Sequence, residues 1–158
     1  MKLTPGGYRI LTVPNAGGNS VLSEVLSFEL LCRCFGAKLK QTEMEVEYYP
    51  LGGSITDYVC QIFDTTLGVS VTRAMKFKGE FTIDDALRLL NKKLKGVIQS
   101  TQNSRLKWSK QILHVWSTSH QVTQILAQAY TQLDPGVKAN TIVMVTTATN
   151  AEYIFKNP

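Results

Sequence analysis

The sequence predicts a mixed α/β fold, one sheet with helices packed against it. Two patterns and one composition carry that expectation. Residues 43–75 hold three short alternating or apolar stretches in succession, as an antiparallel meander does. After them, helical periodicity alternates with two apolar runs, 112–116 and 141–146, as in parallel strands joined by crossover helices. The 158 residues are 44% hydrophobic and 18% charged, enough apolar material for a sizeable core and too little charge for a disordered chain. A single domain, 1–158, is expected, with its core over about 20–146.

Each element has a local reason. Residues 8–13 read as a short strand, and 15–20 as a polar Gly/Asn loop whose Asn19 or Ser20 caps the next segment. Residues 21–35 are apolar around most of a helical circumference and stop at Gly36, a C′ glycine. In 43–50, Met44, Val46 and Tyr48 alternate with Glu43, Glu45 and Glu47, predicting a strand with one face in solvent. A turn at 51–54 leads to a second strand, 57–63. A connection at 64–68 leads to a third, 69–75, rich in β-branched residues. Thr82 caps a helix over 83–99, with Asp84 and Asp85 in its first turn and Lys92, Lys93 and Lys95 near its end, as the helix dipole favours. A polar loop, 100–110, precedes the strand 112–116. A helix over 121–133 ends at Asp134-Pro135-Gly136, before the strand 141–146 and a last strand or turn at 150–156. The order is helix, three-strand meander, helix, strand, helix, strand.

Composition narrows the functional classes. No apolar run reaches the roughly 18–20 residues of a membrane span, and the first residues lack the apolar centre of a signal peptide. An intracellular protein, of nucleus or cytoplasm, with no membrane partner is expected. Three cysteines, Cys32, Cys34 and Cys60, fit reduced thiols. Cys32 and Cys34 diverge on a helix and make a poor metal site. His114 and His120 lack a matching ligand set, and His114 alternates with Trp116 on a strand read as core. Lys and Arg exceed Asp and Glu, 17 to 12, for a formal charge of +5, which suits a polyanionic partner.

The stretch with most chemical content is 52–75, GGSITDYVCQIFDTTLGVSVTRAM. Asp57 stands at the mouth of the second strand, and Ser70 and Thr72 alternate along the third. The preceding helix carries Glu24 and Glu29. This order resembles the restriction-endonuclease-like superfamily, the PD-(D/E)XK nucleases, and the archaeal Holliday-junction resolvases among them. The resemblance covers about residues 20–146. It implies a restriction-endonuclease-like mixed sheet. It matches Asp57 to the family's strand-start Asp, and Glu24, with Glu29 as second choice, to its helix Glu. Ser70-Val71-Thr72 falls where the family carries an acid, a spacer and a lysine, so Ser70 replaces the acid and Thr72 the lysine.

That departure bears on the chemistry the resemblance implies. Phosphodiester hydrolysis by this route uses Mg²⁺ or Mn²⁺ on hard oxygen ligands, here Asp57 and Glu24, and a lysine that offsets developing charge. Ser70 offers a neutral oxygen at most, and Thr72 no charge. Arg73 points to the other strand face and stays protonated. Asp64 lies roughly 20 Å along the hairpin from Asp57, and Glu80 follows the third strand at a distance set by its loop. Beside these roles stand plainer ones: Asp57 as a turn residue bonding local amides, and Glu24 and Glu29 as ordinary helix residues.

Arg73, Lys76, Lys78, Lys92, Lys93, Lys107 and Lys110 form a candidate phosphate-tracking set, and Trp108, lying among the last of them, a candidate base-stacking residue. The same lysines also serve to solvate helix ends and loops. The expected function is nucleic-acid binding, DNA or RNA, by a degenerate nuclease-type domain. An active Mg²⁺- or Mn²⁺-dependent nuclease, and a non-catalytic subunit acting as a homodimer or within a larger complex, stand as alternatives.

Overall fold

A computed structural model of the chain describes residues 2–13, 20–46, 56–104, 108 and 110–156. Helix α1 (Pro5–Thr12) occupies the segment predicted as the first strand. The Thr4 hydroxyl accepts from the Gly7 N–H at 3.2 Å, and Pro5 opens the first turn, where its missing N–H costs nothing. The Gly6-Gly7 pair that argues against a helix in isolation is what seats this one. A Cβ on Gly6 would lie 2.4 Å from the Phe28 ring, and one on Gly7 2.3 Å from the Glu29 carboxylate. Both contacts are to helix α2 (Val21–Phe35), whose C-cap, Gly36, takes φ 68°.

Strand β1 is Lys38–Thr42, ahead of the predicted strand at 43–50. The Glu45 carboxylate accepts from the Thr42 N–H and hydroxyl, at 3.0 and 2.6 Å, and turns Glu43–Glu45 into a 3-10 turn. Residues 47–55, with the predicted Gly52-Gly53 turn, lie outside the described residues. Strand β2 (Tyr58–Ile62) returns through Phe63-Asp64 to β3 (Thr65–Ala74), so the hairpin closes earlier than predicted. Phe63 takes the left-handed φ of 53° there. Helix α3 (Ile83–Asn103) absorbs the start of the predicted loop at 100–110. Strand β4 (Lys110–Ser117), helix α4 (His120–Thr131), a single turn α5 (Pro135–Lys138), strand β5 (Thr141–Thr147) and a short helix α6 (Glu152–Phe155) complete the chain.

The five strands lie in sequence order, β1 to β5. The first two pairings are antiparallel, and β3–β4 and β4–β5 are parallel, as crossovers through α3 and α4 require. Side-chain alternation assigns the faces. Tyr58, Cys60, Leu67, Val69 and Ile112 pack under α2, on Val25, Phe28 and Leu31. Ala74, Leu113 and Val115 pack under α3 and α4, on Leu90, Leu94 and Leu126. The result is a mixed sheet flanked by helices on both faces. Among the described residues, no helix is long and apolar enough to cross a membrane.

Candidate functional site

Where β2 and β3 part, the chain replaces a strand with a carboxylate. The last β2–β3 pair is Tyr58 with Val69. One residue earlier, the Asp57 N–H donates to the Val69 carbonyl at 2.9 Å. The Asp57 Oδ2 then accepts the Val71 N–H at 2.6 Å. The Asp57 carboxyl thus bonds an amide of the neighbouring strand, not the amides of its own turn, and this bond holds it against β3.

Two further acids act on it. Burial raises the Asp57 carboxyl well above the ordinary carboxylate range, and the charges of Glu24 and Glu43 raise it further; the Val71 N–H and the Lys93 ammonium oppose them. Glu24 is 9% exposed in the first turn of α2. Burial first and Glu43 second push it up to about 7, against a hydrogen bond from Ser20, whose hydroxyl lies 3.1 Å away, and the charge of Arg73. Carboxylates from α2, the 3-10 turn and the mouth of β2 thus repel one another, with Arg73 and Lys93 beside them. Such a cluster takes up a proton or a cation in preference to standing fully charged.

Glu24, Asp57 and Glu43 are the hard oxygen donors that Mg²⁺ or Mn²⁺ prefers, and Mg²⁺ commonly keeps several waters and takes one or two carboxylates. Of these, Glu24 and Asp57 are the pair the resemblance implies as ligands. Among the described residues, no group of three or more His, Cys, Asp or Glu side chains is arranged to hold a metal ion.

The other candidate residues divide between the faces. Ser70 pairs with Leu113 and Thr72 with Val115, both on the α3 face, away from α2. Arg73 faces α2 beside Trp116, donates to the Ile154 carbonyl at 3.4 Å and acts on Glu24, so it is not a surface phosphate contact. Glu29 is structural: its Oε1 accepts from the Thr4 N–H and hydroxyl at 2.6 and 3.1 Å, and its Oε2 meets Arg33 at 3.2 Å.

Among the basic set, Lys76, Lys78 and Lys92 are exposed and Lys93 is half-buried. Lys110 is exposed at the other end of the sheet, paired with Leu67, about 23 Å from the level of Ala74 at strand spacing. Lys107 lies outside the described residues. Trp108 corrects the sequence reading. It is 7% exposed, packs with Val46 and Val59, lies over Gly68 and donates to the Thr101 hydroxyl at 3.1 Å. Its ring faces are spent in the core and cannot receive a base.

Sequence reasoning missed a buried polar chain under α2. The Ser27 hydroxyl lies 2.8 Å from the Tyr58 hydroxyl and 2.6 Å from His114 Nδ1, and His114 Nε2 lies 2.9 Å from the Thr146 hydroxyl. Trp116, tilted on His114, donates its indole N–H to the Ser23 carbonyl at 3.0 Å. Burial lowers His114 to about 4 and keeps the imidazole neutral. Ser23 and Ser27 flank Glu24 within one turn of α2, so these bonds set where that helix, and its acid, stands above the sheet. The sequence signal was the i, i+4 pair of serines, Ser23 and Ser27, among the apolar residues of that helix.

No family model matches the chain. Over 97% of its length, it is 50% identical to the AAC-rich mRNA clone AAC4 protein of Dictyostelium discoideum. The chain spans about a quarter (24%) of that relative's length. Among solved structures, it is similar to Pyrococcus furiosus SfsA in complex with Ca²⁺, with a TM-score of 0.38 and 12% identity, over 82% of this chain and 55% of that one.

Proposed function

We propose that the chain is a nucleic-acid-binding domain of degenerate nuclease type, with a restriction-endonuclease-like layout. What supports the reading is that Asp57, bonded to the Val71 N–H at the mouth of β2, feels the charges of Glu24 and Glu43 and of Lys93. Lys92, next along α3, and the exposed Lys76 and Lys78 continue the positive charge onto the surface. In this reading these lysines meet the phosphate backbone, and the acids are what remains of a metal site. Ser70 and Thr72 lack the charge that completes hydrolysis, and they face the other side of the sheet.

The test is a gel assay with labelled single-stranded, duplex and four-way-branched DNA and RNA, in Mn²⁺ or in EDTA, repeated across salt. Affinity is expected to fall steeply as salt rises, because each phosphate contact releases a counterion. Salt-insensitive binding, or none, would overturn the proposal and favour a protein-interaction subunit.

A second reading has its own support. Glu43 and Lys93 bring a third carboxylate and an ammonium to act on Asp57, the two charges missing at Ser70 and Thr72. In an active Mg²⁺- or Mn²⁺-dependent nuclease, Glu24 and Asp57 would hold the ion, and the ion would supply a more acidic water and neutralise charge on the phosphate. Asp57→Asn discriminates. The Asn carbonyl still accepts the Val71 N–H, so the fold stays while a metal ligand goes. Mn²⁺-dependent cutting by the wild type that the variant loses would establish the nuclease; absence of cutting in both would leave the binding domain.

A further inference from the structure

We infer that Phe77 is a base-stacking platform beside a cationic groove, and that the nucleic acid this chain engages is single-stranded. The inference rests on the binding reading above and names its substrate class. After β3 ends at Ala74, the sequence Lys76-Phe77-Lys78 enters an exposed loop that turns at Gly79, φ 82°. Phe77 is 95% exposed, the highest value among the exposed large hydrophobic residues that the structure describes. A phenyl ring held in water between two exposed lysines does nothing for the core.

Beside the loop lies a groove of about 230 Å³, with Met75, Phe81 and Leu89 as its apolar lining and Lys76, Arg88 and Lys92 as its cations. Its one carboxylate, Asp85, is engaged internally. Its Oδ2 accepts from the Thr82 N–H and hydroxyl at 2.9 and 3.0 Å and meets Lys76 at 3.3 Å. With Asp85 and Lys76 paired, Arg88 and Lys92 leave the groove's lining net positive. An aromatic ring among cations spaced along a loop and a helix matches a strand of bases on a phosphate backbone: the ring takes a base face and the cations take phosphates. A duplex hides its base faces in its own stack, so the ring favours an unpaired strand.

The experiment is fluorescence anisotropy of a labelled oligothymidine strand and of a duplex of equal length, using the 158-residue chain and its Phe77→Ala, Phe77→Trp and Lys78→Ala variants. Phe77→Ala is expected to weaken single-strand binding about 5- to 150-fold, the range for one lost stacked base. It should leave duplex binding unchanged, and Phe77→Trp should restore the strand. Lys78→Ala is expected to reduce the single-strand salt slope by about 0.7. Retained strand affinity in Phe77→Ala would overturn the stacking role while leaving the binding reading intact. No binding of either nucleic acid by the wild type would overturn both. Binding to phosphatidylserine vesicles that Phe77→Ala abolishes, with strand affinity untouched, would overturn the inference in favour of a lipid surface.

Discussion

Under α3 and α4, the sheet meets helices through side chains such as Leu90, Leu94, Leu113, Val115 and Leu126, nearly all fully buried. Under α2, Val25, Phe28 and Leu31 make a similar layer. Alongside it, Ser27, Tyr58, His114, Thr146, Trp116 and Ser23 form hydrogen bonds at fixed positions. Apolar contacts tolerate small shifts of a helix, whereas a hydrogen-bonded chain of buried groups permits one register and penalises every other. The face that carries Glu24 is the one held by direction-specific bonds. The other face supplies burial. Placing an acid against Asp57 needs the first kind of packing more than the second.

The largest effect should come from the apolar face. Leu90→Ala is expected to cost about 2–5 kcal/mol, since a fully buried leucine leaves a cavity that close-packed neighbours fill only in part. Urea denaturation followed by circular dichroism measures it. The effect should be the same at pH 8 and pH 5, because no titrating group takes part.

The polar face should show a pH signature instead, of two opposite signs. His114 titrates at about 4 in the fold against an ordinary 6.5, so the unfolded chain binds its proton first. That contribution is complete above about pH 6.5 and is lost as pH falls toward 4, by about 3 kcal/mol. Glu24 is raised to about 7 from 4.5, so its ionisation opposes folding. Its stabilising share is complete below about pH 4.5 and is lost as pH rises through 7. Glu24→Gln should therefore gain about 1–3 kcal/mol at pH 8, with the gain shrinking to nothing near pH 4. An equal gain at both pH values would show that Glu24 carries no charge penalty, and the acidic cluster would lose its electrostatic basis.

How far this contrast was legible depends on how local its causes are. Helix α3 could be read outright: the Thr82–Asp85 capping box and the stripe through Leu90 and Leu94 lie within the segment itself. Helix α1 could not, because Gly6 and Gly7 argue against a helix until Phe28 and Glu29 are known to need the space. The choice of Glu24 and Asp57 came from the resemblance, and in the structure the charge of Glu24 acts on Asp57. The face of Arg73, relative to that pair, did not follow from alternation, since it depends on which helix covers which side. Trp108 was misread for a similar reason: among lysines in sequence it suggested a stacking surface, but Val59 and Gly68, far upstream, bury it. Phe77, flanked by Lys76 and Lys78, was in plain view, and only its exposure separates it from a core residue.

Within the polar face, Ser27→Ala should cost about 1–3 kcal/mol, because it leaves both the Tyr58 hydroxyl and His114 Nδ1 buried without that partner. Denaturation at pH 7, set beside Leu90→Ala, ranks the two faces. A cost below a few tenths of a kcal/mol would mean that the chain of bonds does not hold α2.

The smallest effect gives the finest test. Thr146→Val keeps the shape and removes the hydroxyl 2.9 Å from His114 Nε2, at the half-buried edge strand β5; about 0.5–1.5 kcal/mol is expected. Cys60 reports it. Its thiol is fully buried beneath α2, and burial pushes its pKa up to about 12, so it reacts only when that face opens; Cys34 is exposed and reacts at once. If α2 lifts as a unit before the whole fold unfolds, Thr146→Val should speed Cys60 labelling about two- to tenfold at pH 8, with the change matching its loss of stability. Leu90→Ala, on the other face, would then speed Cys60 less than its larger destabilisation predicts. If both substitutions accelerate Cys60 in full proportion to global stability, α2 opens only with the whole molecule. The hydrogen-bonded chain would then contribute to the stability of the fold without forming a separately opening seat for Glu24.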